Sequence, residues 1–217
     1  MTATGDELEL RGQLVATMRR MAERGLNRGT SGNASARLGS GMLITPTGIA
    51  AEHLTRESIV RVARDGGVAA EQMRPSSEWR MHAELYARRA DAEAIVHCHS
   101  RFATVLACAH RSIPPLHYMV AVAGGSSVPL APYHPFGTVE LARAAADVLG
   151  TGQACLLANH GLIVVAGNLG RALAIAEEIE EQAAVYWGTL AIGGPVLLSA
   201  EQMDDVLRRF KSYGQQM

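Results

Sequence analysis

The chain has 217 residues, 20 basic against 21 acidic side chains, and a formal net charge of −1. That length suits one compact domain and is short for two separate cores. Apolar residues at 48% and charged residues at 19% exclude disorder over most of it. The balanced charge leaves no electrostatic footprint for nucleic acid or anionic lipid. The longest strongly apolar stretch, Ala154 to Gly167, is broken by Asn159 and His160 and falls short of the ~18 residues that span a bilayer. Residues 1–20 lack the apolar core of a secretion signal. Cys98, Cys108 and Cys155, an odd number in apolar surroundings, read as reduced thiols. With the first methionine present, the expectation is a complete, soluble, cytoplasmic chain forming one domain over 1–217.

Leu10, Leu14, Met18 and Met21 recur at helical spacing and predict a helix from Asp6, as cap, to Arg24. A Gly-rich loop follows, then strands at Ala34–Leu38 and Met42–Thr45 around a Gly-Ser-Gly turn. Ser58–Arg64 alternates as a strand, and Asp65-Gly66-Gly67 after it signals a second hairpin. Pro75-Ser76-Ser77 opens a helix to Arg89 with a serine as N-cap. Glu93–His99 reads as a buried strand and Phe102–His110 as a helix. Ile113–Pro132 mixes apolar runs with Pro and Gly and shows no clear period. Thr138–Leu149 is helical, Gln153–Ala158 and Leu162–Ala166 are strands, and a long helix spans Asn168 to Ile192. Its Glu177, Glu178, Glu180 and Glu181 read as a solvated face. Ser199 with Gln202 forms a capping box that opens a last helix to Lys211. Hairpins among helices, without strict βαβ alternation, predict an α/β fold with a mainly antiparallel sheet flanked by helices.

His97-Cys98-His99 ends an apolar strand, where residues two apart share a face. His97 and His99 therefore converge as two ligands of one metal would, while Cys98 turns away. Taken alone, the pair also fits two unrelated histidines at a strand edge. His160, in Asn159-His160-Gly161 between two apolar strands, needs a partner if buried. It is either bonded to a backbone carbonyl or the third imidazole of an open metal site. Ser76 and Ser77 at a helix start suit a phosphate, and Ser-Ser-Glu is also an ordinary helix start. The 29–33 loop and the Thr47-Gly48 turn offer further donors to an anion. Neither matches a nucleotide fingerprint, and no Gly-x-Ser-x-Gly elbow occurs. His82, on the helix after Glu78, and His53, His110 and His134 carry no chemical signal of their own.

Several ordered motifs together resemble the class II aldolase/adducin family. They are Gly25-Leu26-Asn27 with the 29–33 loop, Met42 to Gly48, Pro75 to Arg80, and His97-x-His99. Ile113-Pro114 with His117-Tyr118-Met119, Ala131-Pro132-Tyr133 with Phe136-Gly137-Thr138, His160 to Ile163, and Phe210 to Gly214 complete the set. The resemblance implies one three-layer α/β domain assembled as a cyclic homotetramer with active sites at subunit interfaces. It implies Zn²⁺ held by Glu78, His97, His99 and His160, and phosphate bound by Asn33, Thr47, Gly48, Ser76 and Ser77. Glu78 would move a proton, Tyr118 would reach in from a neighbouring subunit, and Tyr213 would approach from the C-terminal tail.

The implied reaction is retro-aldol cleavage of a ketose 1-phosphate, L-fuculose 1-phosphate or a similar sugar, to dihydroxyacetone phosphate and an aldehyde. An aldolase without metal would need a lysine imine, and Lys211 is the only lysine. Three relatives within the family share the scaffold: aldolases of 5-deoxypentulose or methylthiopentulose phosphates, pentulose-phosphate 4-epimerases, and adducin-like scaffolds without chemistry. Ser-Ser-Glu instead of Ser-Ser-Asp, and Tyr118-Met119-Val120 without an Asp, weigh against epimerisation. The five residues Glu78, His97, His99, His160 and Tyr118 together weigh against a scaffold.

Overall fold

Strands that are apolar on both faces sit in the middle of a sheet covered on both sides. In the computed structural model, which describes residues 5–210, three strands are buried at every position. These are β4 (Ala94–Cys98), β6 (Ala154–Leu157) and β7 (Gly161–Ala166). With β1 (Asn33–Leu38), β2 (Gly41–Ile44), β3 (Val60–Val62) and β5 (Leu130–Ala131) they form one sheet in the order β3-β2-β1-β4-β7-β6-β5. Every pairing is antiparallel except β5 with β6. The mainly antiparallel sheet expected from the hairpin signals is what forms.

Among the described residues five helices pack on it, α1 (Gly5–Glu23), α2 (Trp79–Arg88), α3 (Arg101–Cys108), α4 (Val139–Leu149) and α5 (Leu169–Leu190), while α6 (Ala200–Phe210) packs on the 3₁₀ segment Tyr118–Ala123. Alternation along the strands divides the core in two. Leu43, Val96 and Val164 pack against α1, α3 and α5, while Ile44, Ile95 and Ile163 face α2 and α4. Asn168 Oδ1 accepts from the Arg171 N–H at 2.8 Å at the start of α5. At α6 the Ser199–Gln202 box closes in both directions, at 2.8 and 3.2 Å.

Five expectations are corrected. Asp6 lies in the first turn of α1 rather than capping it. The 65–67 turn forms, with Ala63 N–H bonded to Gly67 O at 2.9 Å, but no partner strand follows. Instead the Gln72 amide takes up the Arg61 N–H and C=O at 2.7 and 3.2 Å, blunting the edge of β3. The N-cap of α2 is Glu78, not a serine; Ser76 Oγ accepts the Glu78 N–H at 3.3 Å in the turn before it. The glutamates of α5 are not simply solvated. Glu180 accepts the Phe102 and Ala103 N–H groups that open α3, at 2.8 and 2.9 Å, and Glu177 faces Arg20 and Arg24. Cys98 and Cys155 are buried free thiols, but Cys108 is exposed.

Candidate metal centre and active-site cleft

His97 sits on β4 opposite Asn33 of β1 and Ile163 of β7. His99 lies just past the end of β4, and His160 in the turn from β6 to β7, where Asn159 adopts a left-handed φ of 53°. Glu78 arrives from the start of α2. The ligand atoms of these four residues lie within 4.8 Å of one another. The three imidazole rings stand edge to face with centroids 4.8 to 4.9 Å apart. Glu78 Oε2 is 3.0 Å from His97 Nε2, and Oε1 is 3.2 Å from His160 Nε2.

The donor chemistry fits a divalent cation. His97 Nδ1 lies 2.9 Å from the Leu162 carbonyl, which only accepts, so Nδ1 carries the proton and Nε2 of the neutral ring is a lone pair. That lone pair faces His99 Nε2 at 3.0 Å and a carboxylate oxygen at 3.0 Å. Three nitrogens and a carboxylate turned inward repel unless positive charge lies among them. Without a cation a proton must serve. Burial opposes charge on His97, but the Glu78 carboxylate outweighs it and raises the imidazole pKa. Burial alone would raise Glu78; the His97 and His160 imidazoles instead hold its carboxyl well below the usual range. Burial and the two neighbouring imidazoles push His99 down to about 4, keeping it neutral and free to ligate. Glu78 Oε1 is buried and faces the His160 imidazole at 3.2 Å, turned into the cluster as a ligand oxygen or a base would be.

The centre lies in a cleft of about 320 Å³. Its walls carry Asn33, Thr47, Gly48, Ser76 and Ser77, so the structure brings all five expected anion-binding residues together. Two backbone hydrogen bonds join their loops: Ser76 N–H to Thr45 O at 2.9 Å and Thr47 N–H to Arg74 O at 3.1 Å. Ser76 Oγ accepts from Glu78, which leaves its O–H to donate. The 29–33 loop closes the same wall. A Cβ on Gly32, whose φ is +73°, would run into the buried Asn27 amide, so the loop requires glycine there.

Tyr118 does not line this cleft; it stands on a 3₁₀ segment, Tyr118–Ala123, half exposed. Tyr213 and Lys211 lie outside the described residues. Sequence reasoning missed Tyr133, His134, Phe136 and Asn159, which line the mouth, and it missed His82. That imidazole is fully buried, 2.6 Å from Asn33 Oδ1 and 2.7 Å from Ser35 Oγ. Its spacing four residues after Glu78, beside Met81 and Leu85, was the signal that it faced inward.

A sheet between two helical layers, with three histidines and a glutamate converging at one strand end, defines a metal-centre enzyme scaffold. The Class II Aldolase and Adducin N-terminal domain family matches residues 12–187, and the chain belongs to that family. It is 49% identical over 204 residues to the L-fuculose phosphate aldolase of Escherichia coli (strain K12), covering 93% of this chain and 94% of the relative. It is 45% identical over 210 residues to the 5-methylthioribulose-1-phosphate/5-deoxyribulose-1-phosphate aldolase of Rhodospirillum rubrum, covering 97% and 95%. A solved structure described as L-fuculose 1-phosphate aldolase superposes with a TM-score of 0.91 at 39% identity, covering 96% of this chain and 98% of that one.

Proposed function

We propose that the chain is a zinc-dependent aldolase that cleaves a ketose 1-phosphate, L-fuculose 1-phosphate or a similar sugar, to dihydroxyacetone phosphate and an aldehyde. The observation that carries this reading is the junction of the Glu78, His97, His99 and His160 cluster with the 33, 47–48 and 76–77 anion wall in one cleft. A bound divalent cation would stabilise the negative charge that builds on the ketose oxygens as the carbon–carbon bond breaks.

The remaining work falls to the chain. Ser76, Ser77, Thr47, Gly48 and Asn33 hold the phosphate and fix the ketose relative to Glu78. In the condensation direction Glu78 Oε1, the oxygen that Asn33 does not hold, takes the proton from the carbon of dihydroxyacetone phosphate that attacks the aldehyde. The Tyr118 phenol, from a neighbouring subunit, donates a proton to the new alkoxide; cleavage runs the same transfers backwards. Tyr118 is half exposed and away from its own cleft, which supports a ring in which each tyrosine serves the next site. The reading includes one domain over 1–217, a homotetramer with the Tyr213 tail near the shared site, and a cytoplasmic location, which the three free thiols support.

A second reading keeps the reaction and changes the aldehyde. Exposed Tyr133 and Phe136 at the cleft mouth suit an apolar end such as that of 5-methylthioribulose 1-phosphate. Purified protein loaded with Zn²⁺ would be assayed against L-fuculose 1-phosphate, 5-methylthioribulose 1-phosphate, 5-deoxyribulose 1-phosphate and a pentulose 5-phosphate, following dihydroxyacetone phosphate. Release from one ketose 1-phosphate well above the others identifies the substrate. Epimerisation of the pentulose phosphate with no release from any ketose 1-phosphate overturns the aldolase.

A further inference from the structure

Behind Glu78 runs a buried chain of polar groups, of which the proposed reaction uses only Asn33. Asn33 Nδ2 lies 3.0 Å from Glu78 Oε2, and Asn33 Oδ1 lies 2.6 Å from His82 Nε2. His82 Nδ1 lies 2.7 Å from Ser35 Oγ, which lies 2.8 Å from the Tyr86 hydroxyl. Asn33, Ser35 and His82 are buried, and the Tyr86 ring packs beneath the Arg37 guanidinium.

Each bond in this chain has its direction forced by the one before. A carboxylate only accepts, so the Asn33 amide must turn its nitrogen to Glu78 and its oxygen to His82. That oxygen only accepts, so His82 Nε2 carries the proton, and Nδ1 of the neutral ring is the acceptor. Ser35 then donates to Nδ1 and accepts from the Tyr86 O–H. A neutral ring is also what burial demands, since no carboxylate contacts His82. The chain ends where the site begins. The amide has two N–H donors: one is spent on Glu78, and the other has no partner while Asn33 lines the cleft.

We propose that His82 is a positioning residue that locks the Asn33 amide with both N–H donors facing anions, one on the Glu78 carboxylate and one on the substrate's phosphate. An amide flipped about its Cβ–Cγ bond would turn its oxygen to both anions and its NH₂ to the His82 N–H. Three contacts would become repulsive at once, so the imidazole sets the orientation without touching substrate or Glu78. Because Oε2 is the tethered oxygen, Oε1 is left as the atom that moves a proton. The phosphate end of this proposal rests on the aldolase reading; the orientation of the amide does not.

The test uses full-length Zn²⁺-loaded protein. In histidine labelled with ¹⁵N, two-bond ¹H–¹⁵N spectra, with His82 assigned by its loss in His82→Gln, should give a neutral ring protonated at Nε2. Inorganic phosphate binding measured by calorimetry should weaken about tenfold in His82→Leu, the scale of losing a hydrogen bond to a charged group. His82→Gln, which keeps an N–H near the position of Nε2, should recover most of that loss. In an Asn33→Ala background, His82→Leu should add less than about twofold, because both act through one amide. Metal content and cooperative melting should stay those of the parent. A ring protonated at Nδ1 overturns the proposal, as does a folded His82→Leu that binds phosphate like the parent. If His82→Leu does not fold, the ring's protonation state decides. If no ketose phosphate is cleaved by the parent protein, the aldolase reading fails, while the spectrum and the phosphate titration still decide this proposal.

Discussion

His97 Nδ1 donates to the Leu162 carbonyl oxygen at 2.9 Å, across the pairing of β4 with β7 that sets Cys98 opposite Leu162. One backbone carbonyl thereby fixes the tautomer of a side chain on the neighbouring strand and aims its other nitrogen at the Glu78, His99 and His160 cluster. The central sheet and the metal centre share this bond.

Elemental analysis of the purified protein should find close to one divalent metal, zinc, per chain. His99 is exposed at the rim, so His99→Ala should lose the metal and leave the fold intact by circular dichroism. His97→Ala should lose the metal and also destabilise the sheet by roughly 0.5–1.5 kcal/mol, because it removes the buried bond from the ring to the Leu162 carbonyl. Equal thermal stability of the two metal-free variants would contradict the structural half of this account.

Ser76 is buried while Ser77 is exposed beside it, so the Ser76 hydroxyl is the better fixed donor. Ser76→Ala should weaken phosphate binding about tenfold. Unphosphorylated ketoses should be poor substrates, since binding energy from the phosphate would be missing at the reacting carbon. Comparable kcat/KM for a ketose and its 1-phosphate would remove the anion wall from the account.

Gly161 follows His160 of the cluster, and a Cβ there would run into the Cys98 carbonyl oxygen and crowd the His99 ring, 3.0 Å from its Cδ2. Gly161→Ala should therefore push β7 from β4 and cost metal affinity at least ~10-fold, in the range of disturbing the groups that orient a ligand. Competition with a zinc-sensitive dye reads this directly; unchanged affinity would mean that the turn gives way harmlessly.

The chemistry was legible where it follows a local rule. His97 and His99 converge because strand residues alternate, and the capping box at Ser199 forms because its two side chains reach each other's backbone. What stayed hidden depends on tertiary packing. Glu180 looked like one of four solvated carboxylates until α3 brought its free N–H groups against it. His82 looked inert because its partners, Asn33 and Ser35, come from a strand 47 to 49 residues away. The edge of β3 is closed by a glutamine side chain, which no strand pattern announces.

Tyr118 leads to a prediction about assembly. Tyr118→Phe and His97→Ala chains, each nearly inactive alone, should regain activity when co-assembled, because some interfaces then join an intact metal site to an intact tyrosine. Oligomers assembled separately and then mixed should stay inactive. Verified hybrids as inactive as their parents would put Tyr118 in its own chain's site or outside the chemistry.

The most direct test of the central claim needs no knowledge of the aldehyde. It is the rate at which Zn²⁺-loaded protein exchanges the α-proton of dihydroxyacetone phosphate with solvent, followed by ¹H NMR in D₂O. The account predicts exchange that chelation abolishes, that Zn²⁺ restores and that borohydride leaves untouched. In Glu78→Gln it should fall by at least ~10²-fold, as expected on removing a general base. Exchange at full rate in metal-free protein, or inactivation by borohydride through an imine on Lys211, would contradict it.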